Sequence, residues 1–217
     1  MVIDSKEFSS IIDKIALQHP NPKIELDFVN DYTLLVAIIL SAQATDKMVN
    51  KVTANIFPYH STPQAFLELG LENLTLLTRN LNYYKTKSKN IIKMSEVLVD
   101  KFNSQPPKTF EELIKLAGVG KKTARVYLAN AHKQPMIGVD THVFRVAKRL
   151  GFVPEESTVE QVDKILNDDK NEIKNKHFLN HLLVLHGRYI CTAKKPKCDK
   201  CLVANACNFY KQNNEKT

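Results

Sequence analysis

Apolar positions recur with the period of a helix along nearly the whole chain, and no convincing pair of alternating segments reads as strands. From Ser5 to about Gln18, the residues Phe8, Ile11, Ile12, Ile15 and Ala16 fall on one side, which predicts an amphipathic helix ended by Pro20 and Pro22. Asp31 can cap the next helix, Tyr32 to about Ala42. Its run from Leu34 to Leu40 is apolar on every side and predicts a central, buried element. Thr45 can cap a third helix reaching Ile56. Thr62 and Pro63 are a cap followed by proline at the first helical position, with Gly70 as the stop and a short helix near Leu71–Thr78 behind it. A loop through Asn82 and Tyr83 leads into a longer helix running to about Phe102, and Pro106-Pro107 is a break. Thr109 and Glu112 read as a capping box opening a helix to Leu116, and a second helix covers Lys121–His132. After Asp140 come a helix to Leu150, another opened by Ser157 and Glu160, and a last long one from about Lys174 to Ile190. Residues 211–217 are polar and read as a frayed end. The pattern predicts an all-α protein.

At 217 residues the chain can bury a sizeable core, as one domain or two. Its 43% hydrophobic content excludes wholesale disorder. Lys and Arg total 31 against 23 acidic residues, a net +8, which favours a polyanionic partner, nucleic acid or an anionic membrane surface. No apolar run reaches the roughly 18 residues of a membrane span. The N-terminus carries Asp4 and Glu7 and has no apolar signal core, so a cytoplasmic protein is expected, with no membrane partner.

Two stretches carry candidate chemistry. Gly118 and Gly120 form a turn between two helical patterns, where glycine lets the backbone turn tightly and approach a ligand. The helix after them begins with N–H groups suited to phosphate, and Lys121 and Lys122 add two cations there. The bland alternative is a helix joint with glycine as a C-cap. The second stretch holds all four cysteines, Cys191, Cys198, Cys201 and Cys207, spaced C-x6-C-x2-C-x5-C. A disulfide pair is disfavoured in a cytoplasmic protein. Four such thiolates can hold zinc or an iron–sulfur centre, and the softness of sulfur admits both. Between the first two lies a basic loop with Lys194, Lys195 and Lys197, suited to a phosphate backbone.

Taken together these residues resemble the helix–hairpin–helix DNA glycosylases, and among them the endonuclease III family. The likeness rests on Leu116–Gly120, Lys122, the loop Gln134–Asp140 with Val139-Asp-Thr-His142, the run Ser41–Asp46 and the four cysteines, in the family's order along nearly the whole chain. It implies two helical domains with a DNA-binding cleft between them: residues 22–133 as a six-helix domain bearing the hairpin, and 1–21 plus 134–217 as a discontinuous domain. It implies a structural [4Fe–4S] cluster on Cys191, Cys198, Cys201 and Cys207. It also implies a monomeric DNA glycosylase and abasic-site lyase, working in the bacterial cytoplasm on the nucleoid, with double-stranded DNA containing damaged pyrimidines or abasic sites as partner.

In that scheme Lys122 is the amine nucleophile. A helix N-terminus and the neighbouring Lys121 favour its neutral, attacking form. Asp140, a favoured N-cap type, is the carboxylate that stabilises positive charge at C1′. Gly118, Gly120, Lys121, Lys194, Lys195 and Lys197 contact DNA, and Gln43 enters the gap left by the flipped nucleotide. The family usually wedges a Leu or Ile, after Gly, between bases. This chain has Asn82 and Tyr83, with Lys85, Lys87 and Lys89 close behind. Asn82 is expected to replace Gly in a left-handed turn and Tyr83 to stack in place of the aliphatic wedge, unless Tyr84 is the exposed ring. Ala117 stands where the family often has Pro. Asp46 is expected to line the base pocket, and His142 to be structural.

Overall fold

The computed structural model describes residues 3–171, 173 and 175–214. Among these the regular structure is helical, with no strand. The chain divides into two compact units, Glu25–Lys133 and Met1–Ile24 with Gln134–Thr217. The domains expected from the resemblance placed the first boundary at 21/22.

The central unit contains α2 (Asp31–Ser41), α3 (Asp46–Thr53), α4 (Pro63–Leu77), α5 (Tyr84–Lys101), α6 (Phe110–Leu113) and α7 (Lys121–His132); the other unit opens with α1 (Ser5–Gln18). Every residue of α2 from Tyr32 to Leu40 is buried, which an all-round apolar helix requires, and it packs against α3, α5 and α7. Its cap is Asn30 rather than the expected Asp31. The Asn30 Oδ1 accepts the Thr33 N–H at 2.9 Å, and Thr33 Oγ1 accepts the Asn30 N–H at 3.0 Å. This reciprocal pair satisfies two donors at once, which a cap one residue later could not do. Gly70, at φ +76, kinks α4 where the sequence predicted a stop.

The Thr109 box is only half made. Glu112 accepts the Thr109 hydroxyl at 2.6 Å, not the backbone N–H, and α6 is a single turn followed by looser turns. Leu116 and Val119 anchor the hairpin in the core of this unit.

In the other unit α1 supplies Phe8, Ile11 and Ile15 to a core with Val143, Val146, Leu150, Phe152, Leu182 and Leu183. These come from or flank α8 (Thr141–Arg149), α9 (Val159–Asn167) and α10 (Lys176–Tyr189). Each large side chain buried there contributes about 1.5–3 kcal/mol. The cap of α9 is Thr158, not Ser157, because Gln161 completes its box by accepting the Thr158 N–H at 2.8 Å. The expected start of α10 at Lys174 lies outside the described residues. A helix not foreseen, α11 (Asn208–Asn214), follows the last cysteine. Of the tail expected to fray, 211–214 are therefore helical and 215–217 lie outside the described residues.

Candidate active site

The hairpin glycines have different jobs. Gly118 sits at φ +80, and a Cβ there would lie 3.0 Å from Asn90 Cβ on α5 and 3.5 Å from Ile39 Cγ2 on α2. Both its conformation and its packing exclude a side chain. Gly120 has φ −89 and ψ 176, which any residue adopts, and a Cβ would meet nothing within 4 Å. The expectation that both glycines serve the turn therefore holds for Gly118 alone; what Gly120 keeps is open space. It is the N-cap of α7 with no side-chain bond, so the first N–H groups of that helix have no acceptor supplied by the cap. Lys121 and Lys122, both exposed, occupy its first turn. Gly118→Ala is expected to lower the melting temperature by roughly 3–10 °C, the scale of a left-handed alanine plus a clash. Gly120→Ala should leave it unchanged. Thermal melts check both.

Asp140 is the N-cap of α8, as its sequence position predicts. Its Oδ1 accepts the N–H groups of His142 and Val143, each at 2.8 Å. The loop before it is held by residues that the sequence did not single out. Asn167 accepts the Ile137 N–H at 2.8 Å and donates to the Ile137 carbonyl at 3.0 Å, while buried Asn180 accepts the Gly138 N–H at 3.0 Å. The carboxylate is thus aimed by a cap and by two distant amides. His142 is half-buried and its Nδ1 sits 3.2 Å from the Arg145 guanidinium. Burial, ahead of its charged neighbours, lowers its pKa.

Gln43 and Tyr83 are both exposed and both left-handed, at φ +52 and +57. Non-glycine residues in that region each cost on the order of 1–3 kcal/mol and cluster at functional sites. Tyr83 is 65% exposed, so it is the outward ring, and Tyr84 is partly covered. Asn82 does not take the left-handed turn as expected. Tyr83 does, which leaves the Asn82 amide to donate to the Gln43 carbonyl at 2.8 Å. Lys87 is buried rather than part of a solvated basic run. Asp46 stands in the first turn of α3.

The four cysteines line one small pocket between the end of α10 and α11, together with Leu150, His186 and Phe209. Among the described residues no group of three or more His, Cys, Asp or Glu closes on a single-ion site. Burial holds the thiols of Cys198, Cys201 and Cys207 above the usual range, Cys201 at about 11, and the other cysteines add to this. Ionising these three therefore calls for a cationic centre in the pocket, and four sulfur donors lining one pocket fit a metal or iron–sulfur group.

Two arginines one turn apart on α8, missed in the sequence, peg the cysteine loop. Arg145 donates to the carbonyls of Cys191 and Gly187 at 3.0 and 2.8 Å. Arg149 donates to the carbonyls of Thr192 and Ala193 at 2.8 and 3.0 Å and to Cys191 Sγ at 3.4 Å, and stacks 4.2 Å over Phe209 of α11. The exposed Lys194, Lys195 and Lys197 are presented on this loop. The basic loop is thus held by protein groups, the two guanidiniums of α8.

Against known proteins, the model of the HhH-GPD superfamily of base excision DNA repair proteins matches residues 36–171. Endonuclease III of Haemophilus influenzae is 43% identical over 199 residues, covering 92% of this chain and 93% of that protein. Endonuclease III of Escherichia coli K12 is 40% identical over the same shares. A solved structure of a trapped covalent intermediate between endonuclease III and DNA superposes with a TM-score of 0.90 at 38% identity, covering 97% of this chain and 99% of that one.

Proposed function

The chain belongs to the HhH-GPD superfamily of base excision DNA repair proteins, and on that footing we propose that it is a DNA glycosylase and abasic-site lyase removing oxidised pyrimidines from duplex DNA. The observation that carries this reading is an exposed lysine amine in the first turn of α7, directly behind the hairpin glycines. The relatives named endonuclease III and the covalent complex with DNA support it.

The damaged nucleotide leaves the stack before its sugar can be reached. The neutral Lys122 amine attacks C1′ as the N-glycosidic bond breaks, and the base leaves with its bonding electron pair and takes up a proton. The Asp140 carboxylate, held by its two amide donors, stabilises the positive charge that grows at C1′. Opening of the sugar ring gives a Schiff base between Lys122 and C1′. That cation acidifies the C2′ proton. Its loss forms the C2′–C3′ double bond and expels the 3′ phosphate, cutting the strand 3′ to the lesion. Gly118, Gly120 and Lys121 at the hairpin, and Lys194, Lys195 and Lys197 on the cysteine loop, hold phosphates; Gln43 and Tyr83 occupy the disturbed stack. Cys191, Cys198, Cys201 and Cys207 would hold a [4Fe–4S] cluster, which supplies a cross-link at the C-terminal end and takes no part in the reaction.

A duplex with one thymine glycol, incubated with the protein and borohydride, should give a covalent protein–DNA adduct and release the damaged base. If neither forms, the function is wrong. For the cluster, the purified protein should be yellow-brown and contain about four irons and four sulfides per chain. Colourless, active protein with zinc in their place would overturn that assignment.

A further inference from the structure

The segment after α2 turns outward through Gln43, and the loop before α5 turns outward through Tyr83. The two loops are far apart in sequence, yet the Asn82 Nδ2 donates to the Gln43 carbonyl at 2.8 Å, across 39 residues. A second tie lies behind the first. Lys87, one turn into α5 and 6% exposed, sends its ammonium to the carbonyls of Leu40 and Ala42 at 2.8 and 2.6 Å. These acceptors belong to the C-terminal end of α2, where carbonyls lack helical partners and a cation is favoured. Burying a lysine is costly unless its donors are satisfied, and here they are spent on the very segment that carries Gln43. Both ties run from the Tyr83 side to the Gln43 side.

We propose that Asn82, with Lys87 holding the end of α2 behind it, is a positioning residue that yokes the Gln43 and Tyr83 loops into one preformed element, so that gap filling and wedging happen as a single event. The proposal rests on the functional reading of Gln43 and Tyr83. A left-handed glutamine or tyrosine persists only where its surroundings hold it. With the yoke cut, each loop relaxes toward commoner conformations and must be ordered again on every encounter with DNA. An element ordered in advance avoids that cost. A glycine at position 82 could not make the tie, since it has no side-chain donor.

Asn82→Ala removes the donor, and Asn82→Asp keeps the shape but cannot donate. In free protein, both should speed hydrogen exchange at the amide of Ala44, which is bonded to the Ser41 carbonyl at 3.1 Å. Single-turnover excision from paired duplex should fall about two- to tenfold, the scale of one hydrogen bond, while excision from single strand stays the same. In a Gln43→Ala, Tyr83→Ala background, adding Asn82→Ala should cost nothing further, because the side chains it positions are gone. Unchanged exchange, an equal loss on both substrates, or an additive loss in that background would each overturn the proposal. If wild type excises nothing, the functional reading fails instead, and the exchange rates still decide whether the yoke exists.

Discussion

Lys122→Gln yields no borohydride-trapped adduct, and strand cleavage at a thymine glycol falls by roughly a thousandfold or more, the scale seen when a covalent nucleophile is removed. The side chain is exposed in the first turn of α7, so glutamine there should leave the melting temperature almost unmoved. The hairpin is held from elsewhere, by Leu116 and Val119 in the core and by the close approach of Gly118 to Asn90. Loss of one cation near a phosphate weakens DNA affinity modestly, an effect that binding measured apart from turnover separates out. Lys121→Gln is the control. It removes an equal charge one residue away and should still be trapped. An adduct of equal yield from Lys122→Gln would falsify the nucleophile assignment and turn attention to Lys121.

Asp140→Asn is expected to slow base release by about 100-fold or more if the carboxylate acts electrostatically. Affinity for lesion DNA should be unchanged or tighter, since one negative charge near the phosphates is gone. The helix cap survives this substitution. The two bonds at 2.8 Å from His142 and Val143 both fall on Oδ1, which asparagine retains, and Asn and Asp cap helices almost equally well. The loop is also pinned at Ile137 and Gly138 by Asn167 and Asn180, independently of the charge. Asp140→Ala would add a capping loss of about 1 kcal/mol and blur the comparison. Single-turnover rates beside a binding titration decide the matter. Normal turnover in Asp140→Asn would leave this residue a cap and nothing more.

The candidate site was legible in unequal parts. Asp140 could be read as a cap because an N-cap is a local device: its side chain meets amides two and three residues on. Lys122 stands out because two glycines and a helix start surround it within a few residues. The division of labour between those glycines was not legible. It depends on Asn90 and Ile39, which approach Gly118 but not Gly120. The left-handed residue of the loop before α5 was misplaced by one. Asparagine is the better left-handed former in isolation, but the Asn82 side chain is engaged at the Gln43 carbonyl and Tyr83 takes the strain.

The sequence by itself determined the helical class, the starts and ends of most helices, the hairpin, the Asp140 cap and the grouping of four cysteines. The helices, the hairpin and the cap depend on residues within about a helical turn or two of each other, where periodicity, caps and glycine act directly, and the cysteines are grouped by their spacing alone. Only the tertiary structure supplied the contacts by which α1 meets the rest of its unit: Phe8, Ile11 and Ile15 pack in one core with residues of α8 and α10, and Gln18 donates to the Lys200 carbonyl across 182 residues. It alone placed Asn180 beside Gly138, Arg145 and Arg149 beneath the cysteine loop, and Lys87 under the end of α2. Side chains of these types read as solvated polar positions in a linear pattern. What makes them structural is a buried carbonyl or amide that must be satisfied, contributed by a segment many residues away whose arrival no local pattern records.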